Sequence, residues 1–245
     1  MPALGQRSSI LPVNPTRTRI KICGITRPED AVAAADAGAD AIGLVFHSPA
    51  PRYVTMDRAR QILSVLPPFV TPVGLFVDAA AEHVREVAAN LGLRHVQLHG
   101  QESPERVAAL DPLVVIKAIR VERGAFADTI ARWKAALRSR RLNNLSGLVL
   151  ETAGTAQAGG TGIANDWATV RRHRAAGDFV GLPAIIAAGG LTPDTVAAVV
   201  RDVRPWAVDV SSGVEDAPGR KSVVRIRAFV AAVRSADADH PVTPG

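Results

Sequence analysis

Eight short apolar runs punctuate the chain, at Arg19–Cys23, Ala41–Phe46, Pro72–Val77, His95–Leu98, Val114–Ile119, Gly147–Leu150, Ala184–Ala187 and Ala207–Val210. Most are rich in Val and Ile and stop at Gly, Asp, His, Glu or Ser, the pattern of strands buried on both faces of a parallel sheet. Between them lie Ala- and Arg-rich amphipathic segments that predict helices: Pro28–Ala37, Met56–Leu66, Ala80–Leu91, Ser103–Leu110, Gly124–Arg138, Asp166–His173, Thr192–Arg201 and Lys221–Arg234. At Thr26-Arg27-Pro28-Glu29-Asp30 and Thr192-Pro193-Asp194, Thr is expected at the helix cap, Pro in the first turn and acid behind it. From Cys23 to Ser211, seven strand-to-strand steps span 188 residues, about 27 each. An eightfold β-loop-α-loop repeat of that length with no break in composition predicts an α/β fold, a single-domain (βα)8 TIM barrel over residues 19–236. An open doubly wound sheet is the alternative, but no Gly-x-Gly-x-x-Gly turn follows the first strand. Residues 1–18, with prolines at 2, 12 and 15, read as a flexible N-terminal extension, and 237–245 as a flexible C-terminal tail.

A barrel places its chemistry at the carboxyl ends of the strands. Strand one ends at Cys23, the only cysteine of the chain, where Gly24 marks a turn or a close approach. A lone cysteine is more often a small buried hydrophobe than a reactive thiol. Strand two leads into His47-Ser48-Pro49-Ala50-Pro51-Arg52, whose prolines stiffen the loop around an arginine suited to gripping a carboxylate. Asp78, His99 and Lys117 stand at or near the ends of strands three to five and are left open between structure and chemistry. Strand six ends at Glu151. Glycine-rich turns follow three successive strands: Gly159-Gly160-Thr161-Gly162, Gly189-Gly190, and Ser211-Ser212-Gly213 after Asp209. Backbone amides at such turns, with a helix N-terminus behind them, can converge on an anion, which points to a phosphate. Asp209 either caps the Ser-Ser turn or belongs to the site.

Composition narrows the choice of partner. The net charge of +6 favours anionic ligands. Only ten residues are Phe, Trp or Tyr, however, and no basic-aromatic platform for bases is visible, so nucleic acid is not expected. The arginines are spread over helical segments as solvated faces. No apolar run reaches the ~20 residues of a membrane span, and residues 1–18 lack the apolar centre of a signal peptide. One cysteine excludes an intramolecular disulfide and a Cys-rich metal site and fits a reducing cytoplasm. The expected partner is a small anionic molecule carrying a carboxylate and a phosphate; nothing in the sequence specifies monomer or oligomer.

Seven ordered motifs carry a resemblance. They are Lys-Ile-Cys-Gly-Ile-Thr (21–26), Gly-Leu-Val-Phe (43–46) with Arg52 six beyond it, Val-Gly-Leu-Phe-Val (73–77), Gln-Leu-His-Gly (97–100), Gly-Gly-Thr-Gly (159–162), Gly-Gly-Leu-Thr-Pro (189–193) and Val-Asp-Val-Ser-Ser-Gly-Val-Glu (208–215). Together they resemble the phosphoribosylanthranilate isomerase family of tryptophan biosynthesis, from about Arg19 to Val233. The resemblance implies a cofactor-free Amadori rearrangement of N-(5′-phosphoribosyl)anthranilate to 1-(2-carboxyphenylamino)-1-deoxyribulose 5-phosphate. It assigns Cys23, as thiolate, the general base at C2′, with Lys21 and Arg52 as candidate nearby charges. It also gives Arg52 the anthranilate carboxylate and Asp209 the orientation of substrate. The phosphate falls to the amides around Gly160, Thr161 and Gly162, Gly189 and Gly190, and Ser212 and Gly213.

Four positions depart from the family pattern. The general acid, an aspartate in the family, is Glu151 here, one methylene longer; a carboxyl in an apolar pocket would hold its proton more readily. Ile163 replaces the usual lysine and Asn165 the usual aromatic, leaving amides and helix ends to carry more of the phosphate. Ser222 stands where an acid is common and is expected at the surface. Glu151 and Ile163 support a second expectation, a phosphate-binding barrel that is non-catalytic or has an altered substrate. Among other barrel enzymes, indole-glycerol-phosphate synthase would need catalytic lysines and a longer N-terminal helical segment. The histidine-pathway isomerase would need an aspartate at Cys23.

Overall fold

The computed structural model describes residues 17–122, 124–139, 142–152 and 166–239. Strands and helices alternate: β1 (Arg19–Cys23), α1 (Pro28–Asp36), β2 (Ala41–Val45), α2 (Met56–Ser64), β3 (Thr71–Phe76), α3 (Ala81–Leu91), β4 (His95–Leu98) and α4 (Pro104–Ala108). Then follow β5 (Val114–Val121), α5 (Phe126–Arg138), β6 (Leu145–Thr152), α6 (Trp167–Ala175), β7 (Ala184–Ala188), α7 (Val196–Val203) and β8 (Ala207–Val210). A 3-10 turn (Ser212–Val214), a small hairpin of β9 (Glu215–Ala217) and β10 (Arg220–Lys221), and α8 (Val223–Ala238) complete the described chain. Strands β1 to β8 pair in sequence order, and β1 pairs in parallel with β8, closing the barrel.

Closure explains the near-continuous apolar runs. The strand period of two sends Ile20, Ile22, Ile42, Leu44 and Phe76 outward into the large core under the helices. The alternate set faces inward, with Ile116, Ala118, Val149, Ile186, Ala188 and Ala207 filling the barrel and Cys23, Val45 and Leu75 forming a smaller cluster. With both faces covered, buried polar residues on the barrel strands are few: Lys21, Gln97, Lys117 and Asp209. β5 and β6 run two residues past the predicted runs, to Val121 and Thr152, with Arg120 and Glu151 as register partners. A ladder of main-chain hydrogen bonds is indifferent to side-chain polarity, so a pattern of hydrophobicity ends these strands too early.

Several boundaries differ from expectation. Arg17 ion-pairs with Asp40, and Thr18 donates from its amide and hydroxyl to Asp237, so residues 17, 18 and 237 are pinned against the barrel and α8 continues to Ala238. Thr26 does not cap α1: Arg27 holds the cap position, and the Thr26 hydroxyl donates to the Gly219 carbonyl. Thr192 does not cap α7 either, which starts at Val196; its amide donates to the Thr195 hydroxyl. In both cases the threonine belongs to the loop that precedes the helix. Ser222, expected at the surface, is buried, because the β9–β10 hairpin folds back and the Ser222 amide donates to the Val214 carbonyl.

Candidate active site

Inward-facing positions of β1 and β8 meet first. Lys21 and Asp209 are register partners, and Lys21 Nζ donates to Asp209 Oδ2 at 2.8 Å with both side chains buried. Asp209 therefore does not serve the Ser-Ser turn, and its Oδ1 is buried with no hydrogen-bond partner among the described residues. Cys23 lies two residues beyond Lys21 on the same face and is 7% exposed. Its thiol owes its space to Gly43 on β2, where a Cβ would stand 2.6 Å from Sγ. Burial pushes the thiol pKa up; Lys21 and Lys221 pull it down, and Asp209 adds to the rise. Burial works against the charge on Lys21, but Asp209 and Cys23 hold its pKa above the ordinary lysine range.

Arg52 is held by an unforeseen partner. Its Nε and Nη2 donate to the two oxygens of Glu215 at 2.8 and 2.7 Å, and Lys221 Nζ donates to Glu215 Oε1 at 2.8 Å. The fork that could grip a substrate carboxylate is thus half used, leaving the edge formed by Nη1 and the outer hydrogen of Nη2. Glu215 closes the last sequence motif, but nothing in linear spacing tied it to Arg52, 163 positions earlier.

At the opposite side of the mouth, Glu151 meets His99: Oε2 and Nε2 are 3.0 Å apart, and His99 Nδ1 is 3.0 Å from Gln97 Nε2. Among the described residues, Glu151 thus meets an imidazole rather than an apolar pocket. The hydrogen bond from His99 lowers the Glu151 pKa against the rise from burial, with Arg120 and Lys117 adding to the lowering. His99 is therefore part of this side of the mouth. Lys117, one residue out of phase with the inward Ile116 and Ala118, pairs with buried Glu102 at 3.0 Å and donates to the Leu98, Gly100 and Ala118 carbonyls. Asp78 accepts from the Gln101 amide. Lys117 and Asp78 fasten the loop after β4 and are structural.

A cavity of about 590 Å³ after β7 and β8 is lined by Gly190, Thr192, Asp194, Ser212, Gly213 and Arg225 among others. Gly189 precedes it directly. Gly213 is obligatory there, since a Cβ would lie 1.8 Å from the Leu191 carbonyl oxygen. Arg225, from the first turn of α8, is a cation that no motif singled out. Gly160, Thr161, Gly162, Ile163 and Asn165 lie outside the described residues.

A closed parallel eight-stranded barrel with ionisable groups converging on its carboxyl mouth defines the class: a (βα)8-barrel enzyme. The family model for N-(5'phosphoribosyl)anthranilate (PRA) isomerase matches residues 20–232, and the chain belongs to this family. The N-(5'-phosphoribosyl)anthranilate isomerase of Trichlorobacter lovleyi is 44% identical over 212 residues, covering 86% of this chain and 96% of that protein. The crystal structure of phosphoribosyl anthranilate isomerase from Thermotoga maritima superposes with a TM-score of 0.75 at 37% identity, covering 89% of this chain and 99% of that one. A phosphoribosyl anthranilate isomerase in complex with reduced 1-(o-carboxyphenylamino)-1-deoxyribulose 5-phosphate gives 0.72 at 35% identity, with the same coverage.

Proposed function

We propose that this chain catalyses the Amadori rearrangement of N-(5′-phosphoribosyl)anthranilate in tryptophan biosynthesis, with Glu151 as general acid and Cys23 as general base. The supporting observation is their placement. Cys23 ends β1 and Glu151 stands near the end of β6, three strands around a closed barrel, both on inward-facing positions of one mouth. Arg52, with one edge left by Glu215, takes the anthranilate carboxylate. Asp209 orients the substrate through Oδ1, while the amides after β7 and β8, at Gly189–Gly190 and Ser212–Gly213, with those around Gly160–Gly162, take the phosphate.

The acid protonates the furanose ring oxygen as the C1′–O bond breaks and the nitrogen lone pair forms the Schiff base. The base then removes the C2′ proton, and the electron pair moves toward nitrogen to give the enolamine. The resting enzyme favours the opposite protonation, a thiol kept neutral by burial and a carboxylate kept ionised by His99. The working form carries the same number of protons, one having moved from Cys23 to the far side of the mouth, and the cations Lys21 and Lys221 stabilise the thiolate left behind.

The test is turnover of freshly generated phosphoribosylanthranilate by the purified protein, followed by loss of substrate fluorescence. Wild type is expected to consume it and Cys23→Ala to lose turnover at every substrate concentration. An inactive wild type that still binds a phosphorylated product analogue would favour a binding barrel. A simple rise in KM for Cys23→Ala would reduce Cys23 to shaping the pocket.

A further inference from the structure

Gln97 and His99 stand one above the other on the inward face of β4, Gln97 fully buried and His99 at the mouth. Between the inward positions Ile116 and Arg120, the intervening strand β5 presents the small side chain of Ala118, and the imidazole reaches past it from β4 to Glu151 on β6. We propose that His99 is a positioning residue for Glu151 that shares the proton Glu151 delivers, and that Gln97 governs which ring nitrogen carries it. The proposal rests on Glu151 being the acid of the reaction described above.

In the observed arrangement Gln97 Nε2 donates to His99 Nδ1, so a neutral ring bears its hydrogen on Nε2 and donates it to the Glu151 carboxylate. Gln97 Oε1 is buried without a partner among the described residues. A half-turn of the amide exchanges donor for acceptor at nearly unchanged positions. It then accepts from Nδ1–H, and the freed Nε2 lone pair accepts a hydrogen bond from a protonated Glu151, the state the reaction requires. The single proton on this contact can thus rest on His99 Nε2 or on Glu151 Oε2, and it leaves Glu151 for the ring oxygen. Glu151 alone would be a poor acid near neutral pH, since its neighbours His99, Arg120 and Lys117 all favour the carboxylate. The imidazole nitrogen 3.0 Å from Oε2 gives that proton a second seat, so the pair retains a proton that the carboxyl alone gives up.

The experiment compares wild type with His99→Gln, which keeps a donor toward Glu151 but cannot titrate. At pH 7.5 kcat is expected to fall about tenfold or more with KM nearly unchanged. Only the carboxyl then holds the acid's proton, so the alkaline limb of the kcat profile moves to lower pH and activity recovers as the medium is acidified. In parallel, nitrogen NMR of the free wild-type enzyme is expected to place the hydrogen of neutral His99 on Nε2. An unchanged pH profile in a folded variant, a loss of activity uniform across pH, or a neutral ring protonated on Nδ1 overturns the proposal. An inactive wild type would instead overturn the functional reading, and the tautomer measurement still tests the pair.

Discussion

At the scale of single residues, the site is defined by close approaches that leave no spare volume. Gly43 is the clearest, because its missing side chain is the space in which the Cys23 sulfur sits. Gly43→Ala is expected to move the thiol by several tenths of an ångström or more and to lower kcat by about 10²-fold. Single-turnover kinetics with an unchanged phosphate affinity check this, and near-wild-type kcat would mean the thiol can move freely. The Cys23 thiol was legible in the sequence because a unique cysteine ending a strand is conspicuous. Gly43 was only one member of an apolar run, and its reason for being glycine lies on a neighbouring strand.

At the scale of elements, the loop after β2 and the β9–β10 hairpin are welded by one buried carboxylate. Glu215 receives Arg52 and Lys221 together, and this partnership lowers its pKa although burial alone would raise it. The sign follows directly. A carboxylate with a depressed folded pKa contributes stability that is present above its unfolded pKa and lost as pH falls through the folded one. Glu215→Gln is therefore expected to flatten the loss of stability on the acid side, below about pH 4.5, while lowering stability at neutral pH. Denaturation midpoints across pH measure both. The same variant is expected to raise KM for the carboxylated substrate several-fold, by freeing Arg52 to wander, with little change for an aniline analogue lacking the carboxylate. Equal effects on the two substrates would remove Arg52 from carboxylate recognition. Arg52 itself was foreseeable from its proline-stiffened loop, whereas the pairing was not, since Arg52 and Glu215 are brought together only by barrel closure.

At the scale of the molecule, closure joins β8 to β1 and sets the turns after β7 and β8 side by side around one cavity. Gly213 packs against the Leu191 carbonyl, so Gly213→Ala is expected to be destabilising and to weaken phosphate binding together. Saturating phosphate should raise the wild-type melting temperature, a ligand at 100 times its Kd contributing about 2.7 kcal/mol, and raise that of the variant much less. An equal rise in both proteins would place the phosphate elsewhere. To the same cavity α8 contributes Arg225.

The order of strands and helices, the eightfold period and the inventory of reactive groups were set by the sequence alone. Burial of both faces of a parallel strand leaves a continuous apolar run, and helices leave a 3.6-residue stripe, so both are local signals. Tertiary structure decided the partnerships: Lys21 with Asp209, Arg52 with Glu215 and Lys221, and Glu151 with His99. Each joins residues from different strands or loops, and the proton and charge preferences of a group depend on which charges lie within a few ångströms in space. For that reason Glu151, a longer acid in the place of an aspartate by sequence, becomes in the fold one half of a carboxylate–imidazole pair.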